Sequence, residues 1–280
     1  MAAVSPSPLD EFSPKQPRVV ITTPDLITIE EGKPTPSQAS TTDIPVVSPN
    51  NAHKIIAEMV GTYVIVLIGC GSLIVDRING PLSVVGIAVA WGLVVMVMIY
   101  TFGHISGGHF NPAITIAFAI SCKYPWRQVP GYVASQLAGS TLAILTLNVM
   151  FHREKIDIKI TTTQYEGRAT DLESFIWEFI TSFILMLTIC GVAIDTKAIN
   201  ELSGVAVGSA MLFDMLIAGN ITGASMNPAR SIGPALVSKD FCGLWVYIFA
   251  PILGMIAAST MYTFLWPPTQ NVDKDNSKSV

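Results

Sequence analysis

Ser106-Gly107-Gly108-His109-Phe110-Asn111-Pro112-Ala113 and Thr222-Gly223-Ala224-Ser225-Met226-Asn227-Pro228-Ala229 are the two stretches that decide the fold. Each is a small-residue turn that ends in Asn-Pro-Ala. Asn is a strong helix N-cap, and Pro suits the first helical turn, where its missing N–H would have had no partner. Each motif therefore predicts the start of a short helix. About ten largely apolar residues follow each one, which makes roughly 15 Å of helix, half the thickness of a bilayer core. Two half-length helices in a membrane chain predict two re-entrant segments that meet at the midplane. One Asn-Pro-Ala alone is weak, because ordinary helix caps use the same residues. The weight lies in two copies at matching places of a repeat.

The rest of the chain fits a bilayer. Half of its 280 residues are hydrophobic and 13% are charged, against about 25% charged in an ordinary soluble domain. The apolar excess lies in six runs, at about 54–75, 84–103, 128–150, 172–194, 202–221 and 243–265. Each reaches the roughly 20 residues that a spanning helix needs. The first run does not read as a cleavable signal peptide, because a long polar stretch precedes it. The net charge of −4 resides in tails and loops, and no basic stripe suggests a nucleic-acid partner. Cys70, Cys122, Cys190 and Cys242 show no metal-ligand spacing and lie in or beside apolar segments. They are expected as small buried hydrophobes. No metal or cofactor is implied.

Residues 1–50 hold nine of the 18 prolines together with many Ser and Thr, and are expected to be a disordered tail. Residues 267–280 read as a short mobile tail. Ser5, Ser7, Ser13 and Ser48 precede prolines, and Ser277 and Ser279 lie near the end. Phosphorylation is open to them, although a solvated linker serine is the plainer reading. The membrane domain is expected over 51–266, in repeat halves at about 54–150 and 172–265. Glu58-Met59-Val60-Gly61-Thr62-Tyr63, with its run to Cys70-Gly71, aligns without a gap on Glu178-Phe179-Ile180-Thr181-Ser182-Phe183 and its run to Cys190-Gly191. Each half reads helix, helix, half-helix, helix. Three spans per half is odd, so the second half enters from the opposite side. The pattern is an inverted repeat about an axis in the membrane plane. Six spans put both termini on one side. With the termini inside, Lys and Arg number nine inside and six outside, a mild bias toward cytoplasmic termini.

Irregular backbone at membrane depth is tolerated only when it is buried in protein or lines a watery cavity. Two such loops therefore imply a pore. Their carbonyls, about Gly107 to His109 and Ala224 to Met226, can form a ladder of acceptors, and Asn111 and Asn227 offer amide donors where the half-helices meet. Both half-helix N-termini carry partial positive charge, which repels cations at the centre. Arg230 is an intramembrane charge and so a functional candidate, with snorkelling to the interface as the alternative. Glu58 and Glu178 are expected to accept N–H bonds from the irregular loops, each with a hydroxyl four residues on (Thr62, Ser182). A proton relay is their alternative role. Asp214, mid-span with no evident partner, is expected to be packed and hydrogen-bonded, with a direct pore role as the alternative. His104 and His109 read as structural histidines rather than a pH gate.

These residues resemble the aquaporin, or major intrinsic protein, family over about 54–266. Gly103 to Ala113 and Gly223 to Ser231 look like the plant nodulin-26-like branch. The resemblance implies an all-α membrane fold of six transmembrane helices plus two re-entrant half-helices, a homotetramer in the lipid bilayer, and one pore per subunit. It also implies a four-residue selectivity filter, which falls on Trp91, Met215, Ala224 and Arg230. Water-selective relatives carry Phe and His at the first two positions. Nodulin-26-like relatives with Trp and Ala usually carry Val or Ile where this chain has Met215, and Asn where it has Asp214.

The resulting reading is a passive channel, not an enzyme, in the plasma membrane or an endomembrane. It passes water and small uncharged solutes, glycerol first, with urea, ammonia and metalloid acids as further candidates. Trp91 supplies an apolar wall, Ala224 space, and Arg230 with the loop carbonyls partners for hydroxyls. The rival from another class is an ion- or proton-coupled secondary transporter, whose only titrating candidates are Glu58, Glu178 and Asp214. Saturable, gradient-coupled uptake separates the two. An enzyme would need a convergent set of nucleophile, base or metal ligands, which the sequence lacks.

Overall fold

The computed structural model of the chain describes residues 49–80, 82–121, 123–194 and 200–265. The tails, with their serines, and Cys122 lie outside the described residues, apart from 49 and 50. Among the described residues eight α-helices follow one another: α1 Asn51–Asn79, α2 Ser83–Ser106, α3 Pro112–Ile120, α4 Val129–Met150, α5 Asp171–Ile189, α6 Ser203–Ala218, α7 Pro228–Ser238 and α8 Leu244–Leu265. No strand occurs among the described residues. Helix α1 starts at a capping box in which Asn50 and His53 satisfy each other's backbone N–H, and α5 starts at the same device built from Thr170 and Glu173.

Helices α1, α2, α4, α5 and α8 are long and apolar enough to cross a membrane, and α6 completes the six. Its 16 residues span about 24 Å at 1.5 Å per residue, a few ångströms short of the hydrocarbon core. A 3-10 turn at Asn200–Leu202 extends it at one end. At the other, Ile221 and Thr222 leave the helix through turn bonds to Ala218, so the expected run to 221 is helix only in part. Helices α3 and α7 have nine and 11 residues, roughly 14 and 17 Å, and neither can span.

The packing follows the repeat. Helix α1 pairs with α4 as α5 pairs with α8, α3 lies on α8 as α7 lies on α4, and α2 crosses α6. The contacts of the second half thus mirror those of the first. The α2–α6 crossing is close because both partners are glycine there. A Cβ on Gly92 would stand 2.6 Å from the Gly208 carbonyl oxygen, and one on Gly208 equally close to that of Gly92. Outward faces of the long helices are apolar, for example Ile56, Leu93, Leu145, Ile180, Phe213 and Leu253. The charges and amides lie inside, with Glu58, Gln136, Glu178, Asp214 and Arg230 all buried. This distribution suits a hydrocarbon surround and a polar interior. Of the cysteines, Cys70 and Cys190 are buried. Cys242 is exposed, contrary to the sequence expectation, because it lies in the turn before α8 rather than within it.

Candidate functional site

Two buried carboxylates hold the two irregular loops. One oxygen of Glu58 accepts the Ser106 hydroxyl at 2.7 Å and the His109 N–H at 2.9 Å. The other accepts the Phe110 N–H at 2.6 Å and the Gln136 amide at 2.8 Å. Glu178 does the same work in the second half, accepting the Thr222 hydroxyl at 2.7 Å, the Ser225 N–H at 2.9 Å and the Met226 N–H at 2.8 Å. The hydroxyls four residues on take no part, since neither the Thr62 nor the Ser182 hydroxyl has a hydrogen-bond partner among the described residues. The hydroxyls that bond the carboxylates come from the loops. Two tyrosines near the starts of α4 and α8 complete the arrangement. Tyr132 donates to the Ser106 carbonyl and Tyr247 to that of Thr222, each at 2.7 Å. Sequence reasoning passed over them, although their matching places in the two halves were a usable signal.

The loops are strained. Phe110, Ala224 and Met226 adopt φ values of 49°, 40° and 52°, a region that costs a non-glycine residue of order 1–3 kcal/mol. That strain sets up the junction of the half-helices. Asn111 caps α3 with its side-chain oxygen, at 2.9 Å from the Ala113 N–H, while its amide donates across to the Met226 carbonyl at 2.8 Å. Asn227 caps α7 on the Ala229 N–H at 2.9 Å and donates back to the Phe110 carbonyl at 2.9 Å. Each amide thus spends one N–H on the opposite half and retains one. The positive ends of two helix dipoles converge there.

Two separate cavities flank this junction. One, of 880 Å³, is lined by the first loop from Ser106 to Asn111, by Asn227, and by Val207 and Met211 of α6. The other, of 450 Å³, is lined among others by Trp91, Met215, Gly223 and Arg230. Ala224, buried, follows Gly223 directly. Arg230 is 2% exposed and does not snorkel. Its Nη1 donates to the Thr161 carbonyl at 2.7 Å, its guanidinium carbon lies 5.2 Å from the Trp91 ring centroid, and its Nε has no partner among the described residues. The loop between α4 and α5 therefore reaches back into the site through Thr161, a contact with no local signal in sequence. Trp91 fits because Gly69 opposite it lacks a Cβ, which would collide with the indole ring. His109 is buried among the rings of Phe118, Tyr124 and Tyr132 and bonds the Thr115 hydroxyl at 3.1 Å, whereas His104 is exposed.

Asp214 departs from expectation. It is fully buried, but neither carboxylate oxygen has a hydrogen-bond partner among the described residues. A buried polar group in that condition destabilises its fold. Asp214→Leu, which removes both unpaired oxygens at similar volume, is therefore expected to raise the thermal unfolding temperature, with a gain of about 1–2 kcal/mol, and Asp214→Asn, which keeps the shape without the charge, to preserve flux. Unfolding in detergent and stopped-flow permeability check this. A large, pH-dependent loss of flux would instead place Asp214 in the pore.

The family model of the major intrinsic proteins matches residues 46–262. The chain belongs to the major intrinsic protein family. Its nodulin-26-like resemblance has close counterparts in plants. Aquaporin NIP1-1 of Zea mays is 46% identical, over 83% of this chain and 82% of the relative. Nodulin-26 of Glycine max is 47% identical, over 76% and 78%. The probable aquaporin NIP4-2 of Arabidopsis thaliana is 49% identical, over 76% and 74%. Among solved structures, the aquaglyceroporin from Plasmodium falciparum superposes with a TM-score of 0.67 at 24% identity, covering 76% of this chain and 96% of that one. This likeness establishes the fold. As a major intrinsic protein, the chain is a passive membrane channel for water and small uncharged solutes.

Proposed function

We propose that the two cavities are the two mouths of one pore, and that the pore passes glycerol and similar small polyols alongside water. The observation that carries this reading is the crossed pair of amide bonds, Asn111 to Met226 and Asn227 to Phe110. They hold two helix N-termini face to face between the cavities, with one amide N–H left on each asparagine for a passing hydroxyl. Glu58 and Glu178 brace the loops. Pro112, Ala113, Pro228 and Ala229 complete the two caps. Trp91, Met215, Ala224 and Arg230 form the constriction, in which two apolar walls face one cation. A polyol fits such walls, because its carbons need apolar contact and its hydroxyls need donors and acceptors. The structural neighbour from Plasmodium falciparum is an aquaglyceroporin, in keeping with this preference. The channel makes and breaks no covalent bond and uses no cofactor. It assembles as a homotetramer with cytoplasmic termini, in the plasma membrane or an endomembrane.

The test is a stopped-flow panel on proteoliposomes with water, glycerol, urea, boric acid and arsenite. In the double variant Trp91→Phe, Met215→His, the glycerol-to-water permeability ratio is expected to fall about tenfold, the equivalent of roughly 1.4 kcal/mol. Histidine replaces apolar wall with a group that holds water, so glycerol loses compensation for its carbons while water regains its bonds. An unchanged or higher ratio would remove positions 91 and 215 from the constriction.

A further inference from the structure

The 450 Å³ cavity has a mixed lining of apolar side chains and cationic groups. Arg77, Lys159, Arg168 and Arg230 face it, against the single carboxylate of Asp76. The charges do not cancel. Lys159 is engaged 3.7 Å away by Asp240. The Cys242 N–H above all, with Gln164 and Lys159, holds the Asp240 carboxyl below the usual carboxylate range, so it stays ionised at neutral pH. Asp76 accepts the Ser83 N–H. The guanidinium groups of Arg77, in the last turn of α1, and of Arg168, in the turn before α5, have no hydrogen-bond or ion-pair partner among the described residues. Below them, the buried Arg230 keeps an unpartnered Nε and Trp91 an unpartnered indole N–H. Free guanidinium groups at a rim, with a buried cation and orphan donors at the floor, describe a receptor for negative charge. A concave, low-dielectric wall focuses their field. The volume is more than enough to admit a small hydrated anion.

We propose that this cavity binds a small oxyanion or carboxylate between Arg77 and Arg168, and that the bound anion blocks the access of neutral solutes to the constriction. The blocking half rests on the reading of this cavity as a pore mouth; the binding half does not. The anion stops there because the walls beyond it, Trp91 and Met215, are apolar and buried. Moving a charge past them without replacing its hydration is far costlier than moving a polyol.

The experiment measures glycerol uptake by proteoliposomes at constant ionic strength and osmolarity, with inorganic phosphate, malate or chloride on both faces. Phosphate or malate is expected to lower uptake saturably, at least threefold, with a midpoint in the millimolar range, while chloride does not. A block by phosphate alone assigns a tetrahedral oxyanion, and a block by malate alone a carboxylate. In the double variant Arg77→Gln, Arg168→Gln the midpoint is expected to rise at least tenfold, each variant being compared with its own uptake in chloride. If the double variant does not fold, Arg168→Gln alone carries the comparison with a smaller rise. Calorimetric titration of phosphate and malate into the protein in nanodiscs reads binding without flux. Neither saturable binding nor block, or block that survives both substitutions unchanged, overturns the proposal. Binding without block overturns its second half. Absence of glycerol uptake in chloride counts against the pore reading instead.

Discussion

Glu178→Ala is expected to abolish solute flux and to leave little folded protein in the membrane. The carboxylate takes three donors, from Thr222, Ser225 and Met226, in a fully buried place. Truncation leaves all three without an acceptor, at about 1–3 kcal/mol each. The loss of several kcal/mol is comparable with the whole margin of a typical domain. The same bonds hold Ala224 and Met226 in left-handed backbone, so the loop that presents the Met226 carbonyl to Asn111 loses its support as well. Glu178→Gln is expected to be milder, because one oxygen still accepts while the new NH₂ meets a donor. Ser182→Ala, on the same helix face, removes a hydroxyl without a partner among the described residues and is expected to be nearly neutral. Yield of monodisperse protein and flux per inserted molecule give the reading. Flux at the parent level in Glu178→Ala would mean that the loop holds itself.

The contrast between Glu178 and Ser182 shows what the sequence carried. The helices were legible because lipid demands long apolar runs, and the half-helices because Asn and Pro are local caps. The repeat followed from the spacing of Glu58, Glu178 and the two Asn-Pro-Ala copies, and its inversion from the odd number of spans in each half. Contacts between distant segments were not legible. Thr62 and Ser182 stood out because they share a helix face with the carboxylates, yet the hydroxyls that bond those carboxylates, Ser106 and Thr222, lie more than 40 residues away. The Thr161 carbonyl reaches Arg230 from a loop that sequence marks only as polar and charged. Asp214 failed differently. Its burial was foreseen from its place mid-span, but a hydrogen-bond partner was inferred from the usual rule that buried polar groups have one. Here the residue breaks that rule.

Arg230→Ala is expected to open a measurable leak for cations and protons while glycerol flux holds or rises. Arg230 is the fixed cation at the floor of the 450 Å³ cavity, 2% exposed, with its guanidinium bonded to the Thr161 carbonyl and lying over the face of Trp91. A unit charge roughly 8 Å from a passing cation, at an effective dielectric of about 20, raises the barrier by about 2 kcal/mol, or about thirtyfold in rate. The substitution removes that repulsion. The converging dipole ends of α3 and α7 remain, so the leak stays well below that of a cation channel. Two effects of the substitution have to be separated, because it also frees Thr161 and the turn Ile158–Thr161. Arg230→Lys does so: lysine keeps the charge but not the planar fork that meets both the carbonyl and the ring. If charge excludes cations, Arg230→Lys stays tight and Arg230→Ala leaks. If the anchoring of Thr161 matters instead, both leak alike. Conductance of oocytes expressing each variant, beside glycerol uptake in the same cells, distinguishes the two. A non-leaking Arg230→Ala that still passes glycerol would place the guanidinium outside the path of the ion.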